Sequence, residues 1–234
     1  MVPSAPSEGM AARADIIDLR KLLAGRFPRR RTDAETRRHP NALSTGVPRL
    51  DDVLGGGLAP GEITELVGAG PGSGSAQIIH ALLRHAAEAG RFLALVDGAD
   101  SFDVDAAPEA CLSRLLWVRC RQADEALQAA DLLLRDRNFP LVVLDLKLNP
   151  ASQLRRLPGN VWHRFGRLLE QHHSTLLVVT AQPLVSSVPC RVQVEGWLEL
   201  DSLIEPPGRL MERLRFTVLR QAAAFAEPPM ALEG

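Results

Sequence analysis

The sequence predicts an α/β fold, with a mainly parallel sheet covered by helices, a C-terminal antiparallel hairpin and an N-terminal helix. Three observations carry this. Continuous apolar runs, RFLALVD (91–97), RLLWV (114–118), PLVVLDL (140–146) and TLLVVTAQ (175–182), alternate with helical patterns. Strands buried on both faces read this way. A short strand, Ile63 to Val67, runs into a glycine-rich loop that opens onto a helix. Beyond Cys190 the pattern turns to polar and apolar alternation, RVQVEGWLEL and RLRFTVLRQ, joined by a stretch with Pro206, Pro207 and Gly208. That is an antiparallel hairpin at the sheet edge.

Taken in order, residues 1–10 have the composition of a disordered segment, and 11–24 predict an amphipathic helix. Ile16, Leu19, Leu22 and Leu23 recur at helical spacing with Arg13, Asp15, Asp18, Arg20 and Lys21 between them. The plain reading of such a helix is packing on its own domain. Residues 27–41 follow as a proline-bounded, arginine-rich linker in which Arg29, Arg30 and Arg31 touch nucleic acid, touch an acidic partner or face solvent. The expected organisation is a helix and linker (1–42), a core domain (43–220) and a loose tail (221–234).

The core is organised around LSTGVPRLDDVLGGGLAPGEITELVGAGPGSGS, residues 43–75. A helix start leaves backbone N–H groups unpaired and carries partial positive charge, and glycines before it let phosphate oxygens approach the backbone. Gly68, Gly70, Gly72, Ser73, Gly74 and Ser75 are therefore the candidate nucleotide-binding residues. The loop departs from G-x-x-x-x-G-K-[ST]. Without a gap, Ser73 stands at the second glycine, Gly74 at the lysine and Ser75 at the hydroxyl; with one inserted residue, Gly74 is the second glycine and Ser75 the lysine. Neither register has a lysine.

Helices are predicted over 76–89, 122–137 and 161–172. A net charge of -1 announces no general nucleic-acid binder. The basic residues are nearly all arginine, with Lys21 and Lys147 the only lysines. Cys111, Cys120 and Cys190 are odd in number and widely spaced, which suits reduced thiols in a cytoplasmic protein. The histidines form no metal-ligand pattern; His80 and His85 share a predicted helix without i,i+4 spacing. No signal-peptide layout and no run of 18 apolar residues is present, so no membrane association is expected.

The block Ser44, Thr45, Gly46, Leu50, Asp51, Leu54, Gly55, Gly57, Leu58, Gly61, Glu62, Ile63 and Glu65 resembles the RecA superfamily, in which S-T-G, L-D, L-G-G-G-L and G-E-I precede the phosphate loop. The resemblance implies a RecA-like P-loop core. It places Asp145 at the carboxylate that holds Mg²⁺ and Gln182 at the sensor of the terminal phosphate. Asp97 then stands at the aspartate of the catalytic strand and Ala99 at the glutamate that activates water. A methyl group accepts no proton. Lost lysine contacts weaken nucleotide binding roughly tenfold to a hundredfold or more, and a lost general base costs about 10²–10⁴ in rate. The reading is a degenerate P-loop ATPase with no catalytic residues and no required cofactor, ATP and Mg²⁺ binding weakly if they bind. Lys147, two residues beyond Asp145, is a candidate replacement charge that points either toward the crevice or away from it.

Superfamily members grip single-stranded DNA with two loops. Here the first carries Arg155 and Arg156, and the second, PLVSSVPC, is short and uncharged. Direct DNA binding is therefore expected to be weak or indirect. Within the superfamily, the non-lysine loop, the segment RLLWVRCRQADEALQAADLLLR and the final RLRFTVLRQ resemble the ImuA-like accessory proteins of SOS mutagenesis and translesion DNA synthesis. That resemblance implies an adaptor binding RecA and/or an ImuB-like polymerase subunit that works beside an error-prone polymerase, with self-association open; the RecA-type resemblance implies docking through the N-terminal helix, with Ile16, Leu19, Leu22 and Leu23 as its partner-binding residues. A nucleotide-gated switch and a weak single-stranded DNA binder are the alternatives.

Overall fold

In chain order the elements are α1 (Pro48–Leu54), β1 (Ile63–Val67), α2 (Ser75–Glu88), β2 (Leu93–Asp97), α3 (Glu109–Leu112), β3 (Leu115–Arg119), α4 (Ala123–Asp136) and β4 (Leu141–Asp145). They continue as α5 (Ala151–Leu154), α6 (Val161–His172), β5 (Thr175–Thr180), β6 (Cys190–Glu195), α7 (Pro207–Glu212) and β7 (Arg215–Gln221). This computed structural model describes residue 39 and residues 41–70, 72–196 and 207–221. The expected N-terminal helix with Ile16, Leu19, Leu22 and Leu23, the Arg29, Arg30 and Arg31 run, and residues 222–234 lie outside the described residues.

The strands form one sheet in the order β3-β2-β4-β5-β1-β6-β7. Every neighbouring pair is parallel except β6 with β7. The apolar runs fill both faces by simple alternation. Ala94, Val96, Val142, Leu144, Leu176 and Val178 face α4 and α6, which cover them with Ala126, Leu127, Ala130, Leu134, Phe165 and Leu169. Leu93, Leu95, Leu141, Val143, Leu177 and Val179 face the other way, beneath Ile78, Ile79 and Leu82 of α2 and Leu50 and Leu54 of α1. A period of two in a strand makes this unavoidable once both faces carry helices.

Several boundaries differ from expectation. The run 91–97 enters the sheet only at Leu93, 140–146 leaves it at Asp145, and 175–182 leaves it at Thr180. The hairpin is antiparallel as read, but β6 also pairs in parallel with β1, so of the hairpin's two strands only β7 is at the edge. The stretch that joins its strands contains α7, with Pro207 at the helix start, a position that lacks a donor requirement.

The acidic segment before the glycines is a two-turn helix, α1. Asp51 on it accepts hydrogen bonds from Ser44 Oγ (2.7 Å), Thr45 N (2.8 Å) and Thr45 Oγ1 (2.7 Å). The S-T-G and L-D pieces therefore serve each other structurally. Leu43 and Leu58 exchange backbone hydrogen bonds of 2.9 and 2.8 Å. Gly57 sits beside them at φ +132°, where an added Cβ would strike the carbonyl of Leu43. Gly57→Ala is expected to cost about 2–4 kcal/mol. Urea unfolding measures it, and a loss below about 0.5 kcal/mol, typical of neutral surface changes, would contradict the packing.

Candidate functional site at the phosphate loop

The C-terminal ends of β1, β2, β4 and β5 are level, because Asp97 pairs with Asp145, Asp145 with Val179, and Val67 with Thr180. Loops leaving these ends converge on one crevice, the usual place for a ligand in a parallel sheet. The glycine loop leaves β1 with Gly68 N donating to Thr180 O (2.8 Å). Gly74 takes φ +90° directly before Ser75, the first residue of α2, which suits the register with one inserted residue. Ser73 and Ser75 are buried. A side chain at Gly74 would run into Leu214, and Gly196 lies so close that a Cβ there would be 2.8 Å from Gly72 O. The start of β7's approach and the end of β6 thus back the loop.

Lys147 answers the question the sequence leaves open. Its Nζ donates to Ser73 Oγ (2.5 Å) and Ser75 Oγ (2.9 Å), so its side chain points into the glycine loop from the end of β4. Burial lowers its pKa, opposed by the charge of Asp145. Asp145 Oδ1 accepts the backbone N–H of Lys147 at 3.0 Å. Burial pushes the Asp145 carboxyl up to about 6; the Lys147 N–H opposes this, the charge of Asp97 adds to it, and the Lys147 ammonium opposes it.

In front of these groups opens a cavity of about 400 Å³, lined by Gly70, Gly72, Ser75, Ala76, Ile79, His80, Phe102, Asp103, Asp145, Lys147 and Ala181. That volume is within the range of small-molecule sites. Five of the groups named from the sequence meet here: Gly70, Gly72, Ser75, Asp145 and Lys147. Gln182 does not line it; the residue before it, Ala181, does, and Gln182 is exposed. Arg155 and Arg156 are exposed at the end of α5.

His80 and Phe102 were not singled out as site residues. They stack at 4.8 Å, and Phe102 meets Trp117 edge-on at 5.5 Å. Burial lowers the His80 pKa, with Asp103 opposing and Arg84 adding to the shift. A usable signal was present: Ala76 and His80 are one helical turn apart, so a histidine at that spacing shares the loop-facing side of α2.

At the end of β2, Asp97 is 1 % exposed and takes up its oxygens locally. It accepts from Ser101 N (2.7 Å), Phe102 N (2.8 Å), Ala99 N (3.3 Å), Ser101 Oγ (3.3 Å) and Trp117 Nε1 (3.3 Å). Asp97 is thus the clamp of the 98–102 loop. After β5, the short loop is pinned by Glu65 through Leu184 N (2.6 Å) and Val185 N (3.2 Å). Among the described residues, no group of three or more His, Cys, Asp or Glu side chains is placed to hold a metal, and no helix is long and apolar enough to cross a membrane.

No protein-family profile matches the sequence, and no curated protein does. Among solved structures, a crystal structure of the RadB recombinase is similar, with a TM-score of 0.53 and 21% identity over 67% of this chain and 84% of that one. At that identity the likeness speaks to the fold. The seven-stranded order, the glycine loop after β1 and this neighbour together establish a RecA-like α/β fold with an antiparallel C-terminal hairpin.

Proposed function

We propose that the chain is a RecA-like binding protein that does not hydrolyse ATP, acting as an adaptor in the SOS response and translesion DNA synthesis. The observation that carries the non-hydrolytic part is the end of β2. Asp97 is fully engaged with its own loop, and position 99, where a water-activating carboxylate would stand, is an alanine. The assignment to translesion synthesis, with RecA and/or an error-prone polymerase subunit as partner, is supported by the ImuA-like segments around 114–135 and 213–221. The pinned, uncharged loop after β5 supports weak or indirect DNA contact. Native affinity purification from DNA-damaged cells should recover RecA or a translesion polymerase subunit. Recovery of neither in mild salt overturns the adaptor role, and steady-state ATP hydrolysis abolished by Asp145→Ala overturns the non-hydrolytic one.

A second reading is favoured by Lys147: a nucleotide-binding regulatory protein that occupies its loop without turnover. The ammonium at Ser73 and Ser75, the glycine backbone and the adjoining cavity supply charge, donors and room for a polyphosphate.

A further inference from the structure

A RecA-like phosphate site implies a divalent cation, held by a loop hydroxyl and by the carboxylate at the end of the β4-type strand. The residues present do not fit one. Both loop hydroxyls, Ser73 Oγ and Ser75 Oγ, accept from the Lys147 ammonium, and one oxygen of Asp145 is taken by the Lys147 N–H. Mg²⁺ requires near-octahedral oxygen ligands, and two positive charges crowded among the same oxygens repel strongly.

We propose that the Lys147 ammonium is the resident cation of the glycine loop, so that the site takes the polyphosphate of a nucleotide without a divalent metal. This rests on the nucleotide-binding reading given above. Lysine is the suitable cation, since its ammonium is compact and presents three donors in a tripod, whereas a guanidinium is a planar fork. Two of its donors meet Ser73 and Ser75, leaving one for a phosphate oxygen. The chain uses arginine for nearly all its basic positions, yet has one of its two lysines here. Placed on the far side of the loop from the usual lysine, the charge reaches the same interior: Nζ would lie 3.5 Å from a Cβ built on Gly68, the loop's first residue.

The test is calorimetric titration of the full chain with ATP, once in excess EDTA and once in excess Mg²⁺. The expected result is the same affinity in both. Lys147→Met should then weaken binding by about ten- to a hundredfold, the size of one charge-assisted contact. Binding that appears only with Mg²⁺ overturns the proposal and leaves the nucleotide reading standing. Binding in neither condition overturns both. Undiminished binding by Lys147→Met removes the ammonium's role, and the wild-type comparison stands even if that variant folds poorly.

Discussion

Glu65→Ala is expected to lower stability by about 3–5 kcal/mol, the usual cost of stripping one partner from a buried ion pair. Glu65 has no exposed surface. One of its oxygens accepts Arg191 Nε (2.5 Å), and the other accepts Leu184 N, Val185 N and Thr180 Oγ1 (3.2 Å). Arg191 completes the ring by donating to Val185 O (2.6 Å). The substitution leaves the Arg191 Nε–H and the N–H groups of Leu184 and Val185 without their acceptor, and each unpaired buried group carries its full desolvation cost. Urea unfolding with an unchanged slope measures the loss. A change below about 1 kcal/mol would show that water replaces the carboxylate and that the pair is not a structural requirement. The same ring pins the loop after β5, so increased protease cutting near Leu184 should accompany the loss.

Asp97→Ala is expected to cost about 2–4 kcal/mol, because five donors converge on that carboxylate and several are left buried. Its distinctive effect is optical. Trp117 loses its indole partner and Phe102 its backbone anchor, so the edge-on pair at 5.5 Å should loosen and the near-ultraviolet dichroism should fall. Asp97→Asn, which retains an acceptor oxygen, should lose less. Full retention of the aromatic signal in Asp97→Ala would mean that the 98–102 loop is held by something other than its clamp.

Much of the fold was legible because burial on both faces leaves a plain mark: LVVL (141–144) and LLVV (176–179) have no polar residue to place, so their strand character and parallel pairing follow together. The boundaries were less legible, since Phe92 extends the apolar run without joining the ladder. Within the site, the glycine loop was readable from its spacing, and Asp145 was placed at the end of β4 by the superfamily resemblance. The direction of Lys147 was not, because alternation fixes side-chain faces only inside a strand and β4 ends at Asp145. Gln182 lies past the same kind of limit: β5 stops at Thr180, and Gln182 is exposed outside the cavity that Ala181 lines. The spacing of His80 from Ala76 puts it on the loop-facing side of α2, but its stacking on Phe102 depends on the 98–102 loop folding over that helix, which no local pattern encodes.

The closeness of Leu214 to Gly74 and of Gly196 to Gly72 has a consequence for how this sequence can change. The glycine loop and the C-terminal hairpin form a compensating pair: a side chain can enter at position 74 only if residue 214 is cut back and the left-handed backbone is relaxed. Leu214→Ala should therefore rescue part of the damage done by Gly74→Ala, although each alone destabilises, and two segments far apart in the chain would be inherited as one unit.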